Sequence, residues 1–277
     1  MRAHLVQLDL AWEDPERNFA KAIDLADAAE PDPGDLVVLP ELFDTGFSMN
    51  TERTADRNGR TLAFIQRFAA DRSVYLHAGR TLKSPGEPMA RNMATIAGPD
   101  GTILTEYAKI HPFSFGKEAD HFVGGDRTAT YLWNASPDDP DRQTTVGCAV
   151  CYDLRFPELF RALVDLGAEV FVLGANWPAA RAAHWRALAI ARAIENQACV
   201  LAVNRCGSDP FLDYAGGSIA VGPKGEILGE SGDNEGVCSI EINTPHIRAW
   251  RKQFPALHDR RIPVGDRPAP TRTDRPD

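Results

Sequence analysis

Three residues with side chains able to attack, accept a proton or carry positive charge stand directly after apolar runs of the sequence. Glu41 follows LVVLP, Lys109 follows ILTEYA and Cys151 follows TVGCAV. In layered α/β proteins, catalytic side chains are commonly placed at such strand ends. A cysteine attacks as its thiolate, and because an unperturbed thiol has a pKa of about 8.5, it needs an activating base or cation. Glu41 and Lys109 could meet that need.

Cys148 and Cys151 also form a Cys-x-x-Cys pair, a spacing found in redox disulfides and in half of a zinc site. The pair lies along a predicted strand, where residues three apart point to opposite faces, and no second Cys or His pair follows. A papain-like site with His111 or His184 as the base is a further alternative, although neither histidine lies in a signature for it. Both alternatives, a redox or zinc-binding cysteine pair and a histidine base, stay open in addition to Glu41 as the base.

Short apolar runs predict the strands that would position these residues, and periodic segments between them predict helices. The predicted strands are LVVL from residue 36, VYLHAG from 74, TVGCAV from 145, VFVLG from 170 and CVLAV from 199. The predicted helices cover 15–30, 61–72, 157–166 and 180–197. Asp14 and Pro15 suit the start of the first helix, and Gly167 suits the left-handed cap after the third.

Two pairs of segments repeat weakly within the chain. DLVVLPE (35–41) resembles EVFVLGA (169–175), and IAGPDGTILTE from 96 resembles IAVGPKGEILGE from 219. The second pair predicts two hairpins with tight Pro-x-Gly turns. Two related halves, each a sheet covered by helices on one side, would pack sheet against sheet. We therefore predict an α/β fold, a four-layer α-β-β-α sandwich with two β-sheets face to face and the helices outside.

Three segments, in order, make the chain resemble the nitrilase, or carbon-nitrogen hydrolase, superfamily. They are LPELF around Glu41, YAKIHPF around Lys109 and CAVCYDLRFPE around Cys151. The likeness continues through NWPAARAAHW, RAIENQACV and NRCGSD, and it runs from residue 3 to about residue 261. It implies one carbon-nitrogen hydrolase domain over residues 1–262, which leaves 263–277 as a Pro-rich tail that we expect to be mobile.

The resemblance also implies a role for each site residue. Cys151 would be the nucleophile and Glu41 the general base, while Lys109 and the backbone N–H of Tyr152 would stabilise the oxyanion. Glu118 matches a second glutamate of the family, to which we assign a supporting catalytic role. The implied reaction forms a thioester from an amide, releases ammonia and ends with hydrolysis by water, without a metal or an organic cofactor.

Four segments look most like the omega-amidase branch of the superfamily: FDTGFSMN, HPFSFGKE, YDLRFPE and NWPAARAAHW. The resemblance implies a small-molecule amide substrate, 2-oxoglutaramate or 2-oxosuccinamate. Such a substrate carries a carboxylate, for which Arg155 is the predicted partner, unless Arg155 pairs with Glu158 or Asp153 instead. The other residues expected to bind the substrate are Phe43, Phe115, Asn176 and Trp177. Open alternatives are an N-carbamoyl amino acid, deaminated glutathione or a nitrile as substrate, and a catalytically silent metabolite-binding sandwich.

Composition restricts the class of partner. Hydrophobic residues make up 43% of the chain, and a formal net charge of -9 disfavours nucleic acid, which needs clustered positive charge. The first residues do not form a secretory signal, and no apolar stretch suits a membrane span, so we expect a cytoplasmic protein with reduced thiols. The resemblance implies a homodimer or higher homo-oligomer, for which helices 157–166 and 180–197 are the candidate contacts.

Overall fold

A computed structural model describes residues 1–136 and 138–262, so the predicted tail at 263–277 lies outside the described residues. The strands of the first part of the chain are β1 (Arg2–Gln7), β2 (Leu36–Val38), β3 (Tyr75–Leu82), β4 (Arg91–Ala97), β5 (Ile103–Ala108), β6 (Thr130–Asn134) and β7 (Gln143–Val150). The later strands are β8 (Val170–Ala175), β9 (Cys199–Asn204), β10 (Cys206–Ser208), β11 (Asp213–Ala215), β12 (Ile219–Val221), β13 (Ile227–Glu230) and β14 (Gly236–Glu241). The α-helices are α1 (Pro15–Ala28), α2 (Thr51–Thr54), α3 (Arg60–Arg72), α4 (Pro157–Asp165), α5 (Ala182–Asn196) and α6 (Thr244–Gln253).

Twelve of these strands form two six-stranded sheets with matching strand orders. The first sheet has the order β14-β1-β2-β3-β4-β5 and the second the order β6-β7-β8-β9-β12-β13. In both sheets the second, third and fourth strands run parallel, and the outer pairings are antiparallel. The two predicted hairpins occupy equivalent places, as β4–β5 and β12–β13. The repeat seen in the sequence is therefore a repeat of topology.

Successive side chains of the central strands point to opposite faces of the sheet, and both faces are buried. In β2, Leu36 and Val38 belong to the core shared with the second sheet, whereas Val37 packs in the core that includes residues of α1 and α3. The shared core also takes in residues of α4 and α5, which lie against the second sheet. The layers are thus helix, sheet, sheet, helix, and the predicted α-β-β-α sandwich is confirmed.

The helices begin and end where capping residues favour it. Asp14 is the N-cap of α1, where its Oδ1 accepts a 3.2 Å hydrogen bond from Arg17 N, and Pro15 is the first helical residue. Gly167 follows α4 with a φ of +88°, in the left-handed region that glycine adopts without strain. Short connections then lead from α1 to β2 and from α4 to β8, two of the parallel strands. Among the described residues, no helix is long and apolar enough to span a membrane.

Candidate active site

Glu41 lies just past the end of β2, where its backbone passes between two glycines of other strands. A Cβ added to Gly174 of β8 would lie 2.6 Å from Glu41 N, and one added to Gly79 of β3 would lie 2.5 Å from Leu42 N. Leu42 has a φ of +44°, which turns the chain sharply after Glu41. Two neighbours without side chains therefore allow Glu41 to sit at the junction of the two sheets.

A cluster of buried charges forms around Lys109, the residue that follows β5. Lys109 Nζ donates to Glu41 Oε1 at 2.8 Å and to both carboxylate oxygens of Glu118, at 2.8 and 3.1 Å. All three side chains are at most 1% exposed. Glu118 Oε2 also accepts a 2.6 Å hydrogen bond from Phe113 N, which fixes the loop after Lys109. The three charged residues predicted from the sequence are thus brought together.

Two asparagines complete the hydrogen bonding of the carboxylates. Asn92 Nδ2 donates to Glu41 Oε1 at 2.7 Å and to Glu118 Oε1 at 2.9 Å. Asn176, just past β8, donates its backbone N–H to Glu41 Oε2 at 2.9 Å and its Nδ2 to the Glu41 carbonyl oxygen at 2.6 Å. Each Glu41 oxygen therefore has a donor, which holds the carboxylate in one orientation.

Cys151 begins a 3₁₀ turn, Cys151–Arg155, that directly follows β7. Its φ is +44°, an uncommon conformation for a residue with a side chain, which aims the thiol away from the strand. Asp153 stabilises this turn, because its Oδ2 accepts hydrogen bonds from Val150 N at 3.0 Å and from the Tyr107 hydroxyl at 2.8 Å. Cys151 thus reaches the Glu41–Lys109 cluster from the second sheet.

The charges around Cys151 determine where the protons reside before reaction. Burial raises the pKa of the Cys151 thiol well above its usual value, and the Glu41 carboxylate, which accepts its hydrogen bond, raises it further. Burial also works against ionised Glu41, but Lys109 and the hydrogen-bond donors outweigh it and lower the Glu41 pKa. Burial opposes the Lys109 charge as well, yet Glu118 and Glu41 raise its pKa. The resting site holds a neutral thiol beside an anionic base and a cation.

A pocket that is partly open to solvent is lined by Cys151. Lys109 and Tyr152, the two predicted sources of oxyanion stabilisation, line it together with Asn176, Trp177 and Arg155. Several lining residues did not stand out in the sequence, namely Phe47, Phe113, Pro178, Arg181, Leu212 and Tyr214. The pocket is thus largely aromatic, with two arginines and no acidic side chain among its lining residues.

Two predicted pocket residues lie elsewhere, which corrects the sequence prediction. Phe43 is fully buried on the helix side of the first sheet, where its ring centroid is 5.8 Å from that of Phe19. Phe115 is 86% exposed and packs beside Phe113 rather than lining the pocket. The reason for the first difference is the turn at Leu42, which directs Phe43 toward the helices and brings Phe47 to the pocket instead.

The alternative partners of the thiol are engaged in other contacts. His111 Nδ1 lies 2.7 Å from Asp153 Oδ1, and the ring stacks on Phe156, while His184 Nδ1 lies 3.3 Å from Arg155 Nη2. All five cysteines are within the described residues, and each is a free thiol. Throughout 1–136 and 138–262, no group of three or more histidine, cysteine or acidic side chains could hold a metal ion.

Arg155 itself forms no ion pair with any described residue, so the predicted alternative of a bridge to Glu158 or Asp153 is not what the structure shows. Its guanidinium lies over the Trp177 ring, 4.7 Å from the centroid. Arg181 likewise has no described ionic partner and lies 5.4 Å from the Phe113 centroid. Both arginines therefore keep their charge available at the pocket.

Comparison with known proteins agrees with the site. The sequence profile of the family described as carbon-nitrogen hydrolase matches residues 2–252. A 2-oxoglutaramate amidase of Bacillus subtilis is 33% identical over 256 residues, which cover 92% of this chain and 95% of the relative. An omega-amidase of Yersinia enterocolitica is 33% identical over 261 residues, with 94% and 96% covered.

The fold has matching neighbours among solved structures. A CN-hydrolase superfamily protein from Xanthomonas campestris superposes with a TM-score of 0.85 at 33% identity, over 96% of this chain and 99% of that one. A Nesterenkonia amidase of the nitrilase superfamily, solved as a cysteine-to-alanine mutant, gives a TM-score of 0.81 at 26% identity, with 94% of each chain covered. By its sequence, its sandwich fold and its relatives, this chain belongs to the carbon-nitrogen hydrolase family, and it is an amidohydrolase acting on non-peptide carbon-nitrogen bonds.

Proposed function

We propose that the protein is an omega-amidase, which hydrolyses the terminal amide of a 2-oxo acid monoamide such as 2-oxoglutaramate or 2-oxosuccinamate. The observation that carries this proposal is the pair of arginines, Arg155 and Arg181, in the pocket that opens onto Cys151. Relatives named 2-oxoglutaramate amidase and omega-amidase, each 33% identical to this chain, support it. The nucleophile is Cys151, with Glu41, Lys109 and Glu118 as its catalytic partners.

The arginines favour a substrate that carries a carboxylate at the end away from its amide. An arginine offers a carboxylate two parallel N–H donors, and such charge-assisted hydrogen bonds are about twice as strong as neutral ones. The rings of Trp177 and Phe113 lie against the two guanidinium groups and limit their orientations. No acidic side chain lines the pocket, so a substrate carboxylate would meet uncompensated positive charge. The aromatic walls would enclose the short carbon chain of the substrate.

The reaction follows from the protons of the resting site. As the Cys151 sulfur attacks the amide carbon, Glu41 accepts the thiol proton, and Lys109 and the Tyr152 N–H stabilise the oxyanion. The carbon-nitrogen bond then breaks, and the proton held by Glu41 leaves with the nitrogen as ammonia. Glu41 next takes a proton from water, whose oxygen attacks the thioester. This step releases the carboxylic acid and returns the proton to the Cys151 sulfur.

A substrate panel tests the proposal. Ammonia release from 2-oxoglutaramate and 2-oxosuccinamate should exceed, by orders of magnitude in kcat/KM, release from pentanamide, N-carbamoyl amino acids, deaminated glutathione and nitriles. Pentanamide is the matched control because it has a similar chain length without the carboxylate. If a carbamoyl compound or a nitrile is the better substrate, the proposed substrate class is wrong while the hydrolase family stands.

Variants of the two arginines test whether each of them binds the substrate carboxylate. Arg155→Met and Arg181→Met should each raise KM for 2-oxoglutaramate by about 10-fold or more, since a charge-assisted hydrogen bond contributes about 1.5–3 kcal/mol. Their activity on pentanamide should change little. Arg186→Met is the control, because Arg186 pairs with Glu230 on the surface at 2.8 Å and lies outside the pocket. Equal losses on both substrates would show that the arginines support the pocket without reading a carboxylate.

We also propose that the protein acts in the cytoplasm as a homodimer or higher homo-oligomer that uses α4 and α5. Leu166 and Ile194, which are 54% and 51% exposed, lie at the ends of these two helices. Burial of such side chains would favour association. Sedimentation equilibrium tests this, and Leu166→Glu with Ile194→Glu should shift the protein toward monomer. A wild-type monomer at all concentrations would refute the assembly.

A further inference from the structure

One side chain outside the pocket contacts both carboxylates of the active site. Asn92, on β4, directs its single amide nitrogen at Glu41 Oε1 and at Glu118 Oε1, 2.7 and 2.9 Å away. Its backbone oxygen accepts a 2.8 Å hydrogen bond from Lys109 N. The residue is 2% exposed and is absent from the pocket lining. Asn92 thus forms hydrogen bonds to Glu41, Glu118 and Lys109 from a position outside the pocket.

The orientation of the Asn92 amide depends on these two contacts. Its Oδ1 is buried and makes no hydrogen bond to any residue in the described part of the chain. The reverse orientation would place the amide oxygen against two carboxylate oxygens, which repel it. With Nδ2 facing both, each carboxylate accepts one of the two amide hydrogens. This arrangement requires an acceptor oxygen without a proton on each carboxyl group at Asn92, and two ionised carboxylates meet that requirement.

We propose that Asn92 is a positioning residue of the amidase reaction, which keeps the Glu41 and Glu118 carboxylates apart as two separate anions beside Lys109. The inference rests on the proposed thiol amidase chemistry, in which Glu41 must be ionised to accept the Cys151 proton. Two carboxylates that share one site otherwise tend to hold a proton between them. A proton held there would occupy the base before substrate is attacked.

Lys109 alone does not neutralise the two carboxylates, and the other groups around Glu41 do not add the missing positive charge. Lys109 is the single cation that contacts Glu41 and Glu118 among the described residues, so the cluster carries one net negative charge. The thiol of Cys151 and the buried phenol of Tyr214 also interact electrostatically with Glu41 and add no positive charge. Burial favours the protonated form of both carboxylates. The Asn92 donor and the Asn176 backbone N–H oppose protonation of Glu41 and help to lower its pKa, whereas burial keeps the pKa of Glu118 raised even beside Lys109.

The pH dependence of Asn92→Leu tests this role, with Asn196→Leu as the matched control. Asn196 is also a fully buried asparagine, but its Nδ2 bonds to the Arg192 carbonyl oxygen within α5. Loss of the Asn92 donor should raise the pKa at which Glu41 ionises. The acid limb of kcat/KM should therefore move to higher pH by about one unit, a typical effect of one hydrogen bond to a carboxylate. Asn196→Leu should leave the limb in place.

A second measurement needs no substrate, so it tests this inference separately from the proposed omega-amidase activity. The rate at which iodoacetamide alkylates Cys151, followed by peptide mass, depends on transfer of the thiol proton to Glu41. We expect its acid limb to shift by the same amount in Asn92→Leu. If 2-oxoglutaramate is not a substrate but this shift occurs, the substrate proposal fails and the role of Asn92 stands.

Asn92→Asp is a nearly isosteric variant whose two pH profiles can be measured even if Asn92→Leu does not fold. It places a third carboxyl group beside those of Glu41 and Glu118, and the shift of both acid limbs should exceed that of Asn92→Leu. Folded Asn92 variants whose activity and alkylation profiles coincide with those of the wild type would overturn the inference. Loss of thermal stability alone, without a shift, would overturn it as well, because that result describes a residue that only fills space.

Discussion

The two halves of the molecule share one strand order but contribute different chemistry. In the first half, Glu41 follows β2 and Lys109 follows β5, so this half supplies the charges. In the second half, Cys151 follows β7 and supplies the thiol. Asn176, which directly follows β8 in the second half, binds the Glu41 carboxylate instead of providing another. A repeated scaffold has thus placed complementary groups on its two copies, and neither half holds a complete site.

In the proposed mechanism, catalysis depends on the packing between the two sheets. Gly174 of the second half lies so close to the Glu41 backbone that a Cβ would meet it at 2.6 Å. Cys151 and Asn176 approach the same carboxylate from that half. The distance between base and thiol therefore depends on how closely the sheets pack, which variants on either side can disturb.

The largest expected effect comes from removing the contribution of the second half. Cys151→Ala should abolish ammonia release, with a loss of at least about 10⁴-fold, because no other group can form the thioester. Cys148→Ala is the control, since this buried thiol of β7 packs in the core away from the pocket. Cys148→Ala should keep its activity within a few fold. Activity in Cys151→Ala would mean that the thiol is not the nucleophile.

Removing the contribution of the first half should have the next largest effect. Glu41→Gln should lower kcat by about 10²–10⁴-fold, the usual contribution of a general base. The lowered pKa of Glu41 places the acid limb of wild-type kcat/KM below the ordinary glutamate value of 4.5. Activity falls as pH drops through that pKa, because the base becomes protonated, and Glu41→Gln should lose this limb.

The acid that occupies the corresponding stretch of the second half serves as the control for Glu41. Glu169 precedes β8 and pairs with Arg248 at 3.0 Å. Glu169→Gln should retain both the activity and the acid limb of the wild type. Equal losses in Glu169→Gln and Glu41→Gln would mean that the two halves do not differ in the way described.

A smaller effect is expected from the contact between the halves. Gly174→Ala forces the Glu41 backbone to move, and a displacement of about 1 Å can lower activity by about 10²-fold. Its overpacking should also destabilise the fold by about 1–3 kcal/mol. Gly236→Ala, where nothing lies within 4 Å of the added Cβ, should change neither kcat nor unfolding. Wild-type kcat in Gly174→Ala would show that the sheets tolerate the wider separation.

The smallest effect on activity, but a clear one on stability, concerns a buried acid of the first half. Asp44 accepts a 2.7 Å hydrogen bond from the Thr61 hydroxyl but has no cation partner among the described residues, and burial raises its pKa to about 7. The folded state therefore holds this proton more tightly than the unfolded state. The resulting stability is complete below about pH 4 and is lost as pH rises to about 7, by at most about 1.4 kcal/mol per unit.

Asp44→Asn should remove that loss. Urea unfolding should show the variant to be more stable than the wild type at pH 8, by up to about 4 kcal/mol, and close to it at pH 4. Asp153, a buried acid of the second half, has more donors around it, because it accepts four hydrogen bonds, two of them from His111. Parallel pH curves for the wild type and Asp44→Asn would contradict the assignment.

The sequence predicted the fold and the centre of the site because both depend on local patterns. Buried strands appear as apolar runs, and Glu41, Lys109 and Cys151 each follow one directly. The repeated hairpins indicated the matching order of the two sheets. Asn92 was missed, although an asparagine within the apolar run of β4 is itself a signal, since a buried polar side chain needs partners.

The walls of the pocket depend on tertiary packing and could not be predicted in the same way. Phe43 was expected to line the pocket, but the left-handed turn at Leu42 directs it toward the helices. Arg181 and Tyr214 approach from segments far along the chain, and their placement depends on contacts between elements. Tyr214 rests on Arg205, whose guanidinium lies 4.4 Å from the ring centroid and is fully buried.

The central claim is that Cys151 of the second half and Glu41 of the first half form and then hydrolyse a thioester. Rapid quenching of the enzyme in acid during turnover of 2-oxoglutaramate, followed by peptide mass analysis, tests this directly. We predict a transient adduct on the peptide that contains Cys151, with the mass of the substrate less one ammonia, and none in Cys151→Ala. Steady release of ammonia with no adduct at any time, and with Cys151→Ala still active, would contradict it.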